Sequence, residues 1–237
     1  MRNSKSLLKM ITLSMLIALG VVISPILRVE GMCPMAHFIN IVCSVFLGPW
    51  YSLLCATLIG IIRMLIMGIP PIALTGAIFG AFLSGVFYRL SKGRIIFAVL
   101  GEVIGTGLIG AVMSYPVMTF LWGKEGLSWL FYVPSFICGT LIGGSIAYVF
   151  LRKFAANGML AKIQNMLGSK AYMDHSSLLS NTLTIAALGG ILFVVFELAT
   201  DIFSLTASVW DKMSYISLAG CGCAAVIYYI TKKVKPN

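Results

Sequence analysis

Apolar residues run along this chain with little alternation, over positions 7–29, 37–48, 50–67, 71–88, 95–114, 128–150, 181–199 and 213–230, and the polar residues collect in the gaps. Such runs show neither the period of two of a half-buried strand nor the polar stripe of a surface helix. Lipid offers no partner to a backbone N–H or C=O, and the runs are too continuous for barrel strands, so the pattern predicts an all-α integral membrane protein. The first run follows Arg2, Lys5 and Lys9. It is longer than the apolar core of a secretory signal and no A-x-A pattern follows it, which predicts a retained helix.

The stretch AHFINIVCSVFLGPWYSLLCATLIG, residues 36–60, reads either as one long helix or as two short ones. A single helix would place Arg89, Lys92 and Arg94 outside the cell, against the preference of Lys and Arg for the cytoplasmic side. A break at Gly48-Pro49 reverses the parity, because proline ends the preceding helix and can open the next. The basic groups Arg2/Lys5/Lys9, Arg89/Lys92/Arg94, Arg152/Lys153/Lys162/Lys170 and Lys232/Lys233/Lys235 then share the inner side. Arg28, Arg63, Lys124 and Lys212 lie elsewhere. The expectation is eight helices with both termini cytoplasmic. Met159, Leu160, Ile163, Met166 and Leu167 recur at helical spacing beside Lys153, Lys162 and Lys170, as in a short helix on the inner leaflet. The chain thus divides into a six-helix body (1–152), a cytoplasmic amphipathic segment (153–170) and a C-terminal two-helix hairpin (171–237).

Composition sharpens this picture in three ways. Hydrophobic residues make up 59% and charged residues 10% of the chain, so its net charge of +10 marks topology; a nucleic-acid surface would need a solvated basic face. Of the six cysteines all but Cys33 fall in apolar runs, where cysteine behaves as a small hydrophobe, and Cys221 and Cys223 point to different helix faces. No disulfide framework, metal site or cofactor is implied. Neither G-x-x-x-x-G-K-[ST] nor H-E-x-x-H occurs, which excludes a P-loop and a zincin-type metalloprotease and leaves no catalytic residue to name.

The polar residues inside the six-helix body are few. Arg63 lies about 13 residues past the Gly-Pro break, roughly 20 Å from the inner boundary, and Glu102 about 8 residues past Arg94, roughly 12 Å. Insertion of such charges costs about 2.5–3.5 kcal/mol, so they face a bundle interior or a cavity. Arg63 either pairs with Glu102 or snorkels outward, and Glu102 alternatively bonds Thr106 one turn along or a ligand. His37 and Asn40, three apart, share a face at the outer end of the second helix, either as structural hydrogen bonders or as the floor of an outward-facing pocket. Tyr115, Trp122, Trp129 and Tyr132 flank an external connection, as an interfacial belt or as a stacking surface for a flat ligand. Asp174, His175, Ser176 and Ser177 read as loop and cap, and Glu197, Asp201 and Asp211 gather at the outer end of the last hairpin. Small-xxx-small pairs, Ser14/Ala18, Ala56/Gly60, Gly76/Gly80, Gly101/Gly105 and Gly139/Gly143, predict close helix packing, with the first helix the best candidate for an intermolecular face.

LSMLIALGVVISP, AHFINIVCSVFLGPWYSLLCATLIGIIRML and LTGAIFGAFLSGVFYRL together resemble the thiazole-type (ThiW) S component of energy-coupling factor transporters, over about residues 7–152. The middle block carries H-x-x-N, L-G-P-W and G-I-x-R in that order. The resemblance implies a six-helix S-component bundle in the cell membrane that captures a small heterocyclic vitamin precursor, hydroxyethylthiazole, and is not an enzyme. It also implies docking through Ser14 and Ala18 onto a transmembrane coupling protein (EcfT-like) driven by two cytoplasmic ATPases. Ser14 stands where alanine is more usual in the family. On this view His37, Asn40 and Glu102 orient the ligand's hydroxyl and ring nitrogen, and Tyr115 or Trp122 covers its face. The alternatives are another vitamin, such as a pyrimidine, thiamine or a riboflavin-like ligand, or a small membrane enzyme using Glu102 and Arg63. The final hairpin lies outside what the family requires.

Overall fold

A computed structural model describes residues 2–25, 33–172, 178–179, 181–183, 185–189, 192–193 and 208–234. The ordered elements are helices α1 (Arg2–Ile23), α2 (Pro34–Leu47), α3 (Pro49–Met67), α4 (Ile72–Leu90), α5 (Ile95–Leu121), α6 (Val133–Ala156), α7 (Met159–Leu167) and α8 (Ser208–Val234). Among the described residues there is no strand, and six helices are long and apolar enough to cross a membrane: α1, α3, α4, α5, α6 and α8. This is an all-α, multi-pass membrane protein. The chain divides into two compact units, Met1–Asp174 and His175–Asn237. In the second, α8 carries Cys221 beside Gly189, and Tyr215 meets the ring of Phe193 edge-on. Much of the predicted span 181–199, with Asp174, His175, Glu197 and Asp201, lies outside the described residues.

The break at Gly48-Pro49 is present. Gly48 sits at φ 96°, a left-handed conformation that glycine alone adopts without strain, and its N–H still bonds Ser44 O. The second predicted span differs in kind from the others, however. At 14 residues α2 is only about 21 Å long, short of the roughly 30 Å of a hydrocarbon core. Twelve of its residues are buried, and it packs against α1, α3, α4, α5, α6 and α7. It threads the bundle as a central core helix, so polar side chains on it face protein.

The glycine pairs let the helices around α2 close up. A side chain on Gly105 would stand 2.5–2.6 Å from backbone atoms of Phe79 and Gly80, and one on Gly101 would strike Leu83 and Ser84. Thus α4 and α5 meet backbone to backbone. Gly143 on α6 gives the same access to Pro34 and His37 at the start of α2. Association in lipid depends on such close approach rather than on a hydrophobic force.

α5 runs beyond its expected end at residue 114. It continues through Pro116, with wide π-type turns over Val103–Gly110 and Val117–Leu121. The next helix starts at Val133 rather than 128, because Ser128–Tyr132 closes a turn (Phe131 N to Ser128 O, 3.1 Å) and Pro134 favours a helix start there.

The short helix α7 covers one end of α2. Leu160, Gln164 and Leu167 face the bundle while Met159 and Met166 are exposed, so the apolar residues expected on a single lipid face are divided between two. Gln164 Nε2 donates to Val45 O (2.9 Å) and to Tyr88 Oη (3.0 Å). Val45 is one of the last carbonyls of α2, and the residue four ahead is Pro49, which has no N–H to give. A side chain 119 positions away supplies that bond. Lys9 over the Tyr51 ring and Lys5 against Gly168 bring the start of α1 to this same basic end.

Candidate functional site

The end of the bundle away from α7 holds the polar cluster. The opening turns of α2 place His37 and Asn40 toward α5, whose Glu102 and Thr106 are one turn apart. All four are buried, Glu102 at 0% and Asn40 at 2% exposure. Gly80 on α4 makes this possible, since a side chain there would collide with the Thr106 hydroxyl and the Glu102 carboxyl.

Glu102 organises the cluster unevenly. Its Oε1 accepts from His37 Nδ1 (2.9 Å), Asn40 Nδ2 (3.0 Å) and Thr106 Oγ1 (3.2 Å). Its Oε2 is buried without a partner. A carboxylate accepts at about four lone-pair positions, so capacity is left on the second oxygen. Ser52 Oγ ties the Asn40 carbonyl to α3 (2.9 Å), and Ser44 and Ser84 share a hydrogen bond (2.8 Å) that pins α2 to α4 one turn further in.

Beside the cluster lies a cavity of about 70 Å³. It is lined by His37 and Thr106, by Arg63 of α3, by Gly76 and Ala77 of α4, by Phe136 of α6, and by apolar residues including Ile69 and Ile72. Arg63 is 5% exposed. Among the described residues it forms no ion pair with Glu102; its Nη2 donates instead to Cys33 Sγ (3.4 Å), and its Nε has no partner. It therefore neither pairs with Glu102 nor snorkels to the surface. Glu102 sits one layer behind His37 and Thr106 rather than in the cavity wall.

The remaining predicted site residues lie apart. Tyr115 stacks on Trp129 (centroids 4.5 Å) and meets Phe120, Trp122 is half-exposed, and neither lines the cavity, whose aromatic ring is Phe136. Ser14 and Ala18 are exposed on α1, between Ile11, Met15, Leu19 and Val22, which are exposed as well. Cys33, Phe136 and Ser135 went unremarked as site residues in the sequence. Phe136 stands two residues after Pro134, and Cys33 directly before the helix of His37, which were the available signals. Among the described residues no cluster of His, Cys, Asp or Glu has metal-binding geometry.

A family model described as thiamine-precursor transporter protein (ThiW) matches residues 10–157. The match runs from within α1 to the end of α6 and includes every residue of the polar cluster. No curated protein and no solved structure matches the chain.

Proposed function

The chain belongs to the ThiW family of thiamine-precursor transporters, and from that premise we propose that it is the substrate-binding S component of an energy-coupling factor transporter, taking up hydroxyethylthiazole. The observation that carries this reading is the cavity beside the Glu102 cluster: a small, mostly apolar space with a few converging polar groups, as small-molecule sites usually are.

In this proposal His37 meets the ligand directly, Glu102 holds its ring in place from behind, and Asn40 braces Glu102. Phe136, rather than Tyr115 or Trp122, covers the heterocycle. The basic ends of α1, α4 and α6, with α7, face the cytoplasm together with both termini in the cell membrane, and the cavity faces outward. The protein catalyses nothing by itself. The exposed Ser14/Ala18 face of α1 docks on an EcfT-like coupling protein carrying two cytoplasmic ATPases.

Titration of hydroxyethylthiazole, hydroxymethylpyrimidine and thiamine into the purified protein in detergent tests this directly. One-to-one binding of the thiazole in preference to the others is expected, and its loss in the double variant H37A/N40A. Equal affinity for all three, or thiazole binding untouched by the double substitution, would remove the assignment. Trp at both Ser14 and Ala18 should leave binding intact and abolish uptake in cells that contain the coupling module.

A further inference from the structure

We propose that Arg63 reads a hydrogen-bond acceptor on the ligand, and so fixes which edge of the heterocycle enters the site. This rests on the reading of the cavity as a heterocycle site and adds to it the residue that sets orientation.

Arg63 is a planar fork of five N–H donors with no acceptor capacity. Its position in the membrane, 5% exposed, deprives most of those donors of bulk water. Among the described residues the partner of Nη2 is the Cys33 thiol sulfur, a weak acceptor, and Nε has none. Glu102, the acid that would neutralise it, is committed on Oε1 to His37, Asn40 and Thr106. A buried donor without a partner is costly and calls for a specific reason. Nε itself is closed to solvent, so an acceptor that arrives with the ligand meets the part of the guanidinium that lines the cavity.

The orientation of the fork is itself fixed. The Cys33 thiol donates to Ser24 O at the end of α1 (2.9 Å) while its sulfur accepts from Arg63, so a short relay joins α1, the start of α2 and α3 at the cavity. Most of the other lining groups, Ala36, Ile69, Ile72, Ala73 and Phe136, are apolar and offer no competing donor. An in-plane ring nitrogen, such as that of a thiazole, is an acceptor of the kind this donor lacks. A ring with C–H at that position has the same shape and leaves the guanidinium unpaired.

The test compares hydroxyethylthiazole with hydroxyethylthiophene, in which the ring nitrogen is replaced by C–H, in the full-length protein in detergent. Wild type is expected to prefer the thiazole by on the order of 10- to 100-fold, the range of one hydrogen bond to a charged group. R63M is expected to bind the two alike. Equal binding of both rings by wild type would overturn the proposal and leave the transport reading standing. Binding of neither ring would remove the transport reading and this one with it. The wild-type comparison needs no folded variant, and thermal unfolding of R63M shows whether its result can be compared.

Discussion

The Glu102 cluster makes a quantitative claim about stability. Glu102→Ala deletes the acceptor shared by His37 Nδ1, Asn40 Nδ2 and Thr106 Oγ1. A buried donor left without a partner costs about 1–3 kcal/mol, so three give roughly 3–9 kcal/mol. Two donors have a fallback. Asn40 Nδ2 already lies 3.5 Å from Ala77 O, and His37 lines the cavity, where water reaches it. Discounting both leaves about 1–3 kcal/mol, or roughly 2–12 °C in Tm at about 2–4 °C per kcal/mol for a chain of this size. Glu102→Gln keeps an oxygen for the three donors and removes a buried charge, two effects of opposite sign. It should hold within about 1 kcal/mol of wild type. Thermal unfolding in one detergent at one scan rate measures both variants. If E102A unfolded within about 2 °C of wild type, or E102Q were as unstable as E102A, Glu102 would not be the hub of the cluster.

Two further substitutions probe the frame around the site. Gly105→Ala drives a methyl into the backbone of Phe79 and Gly80, which cannot rotate away, and overpacking of that kind costs about 1–3 kcal/mol; an unchanged Tm would show that α4 and α5 separate freely. Gln164→Leu leaves Val45 O without its side-chain donor at the end of α2, which should lower Tm by about 2–12 °C. Thiazole affinity, read at the far end of the helix, should change less than twofold, and a tenfold loss would mean that the two ends are coupled.

Much of the architecture was legible because it is written in residues with one dominant physical effect. Pro49 cannot extend a helix, and Gly48 alone takes φ 96°, so the split fell where it was expected. The glycine pairs on α4 and α5 likewise meant close approach. The pairing of Glu102 was not legible in the same way. Counting residues gives depth along an axis and says nothing of the direction a side chain points about it, so Arg63 was as plausible a partner as His37. The Glu102–Thr106 bond, by contrast, follows from their spacing along one helix. Depth likewise does not say which way Tyr115 and Trp122 point, and neither lines the cavity. The wide turns over Val103–Gly110 shift the phase of everything that follows on α5, and Tyr115 is left against Trp129 instead of the cavity. The enclosure of α2 was invisible for a related reason: an apolar run of 14 residues looks alike whether lipid or protein surrounds it.

That enclosure has a bearing on how the protein is made. His37 and Asn40 leave the ribosome more than sixty positions ahead of the carboxylate that receives them. The helix that completes the wall around them, α6, is synthesised later still. During that interval a segment too short to rest stably across a bilayer carries two unmet polar side chains, and the insertion machinery or interfacial water must shelter it until its companions arrive.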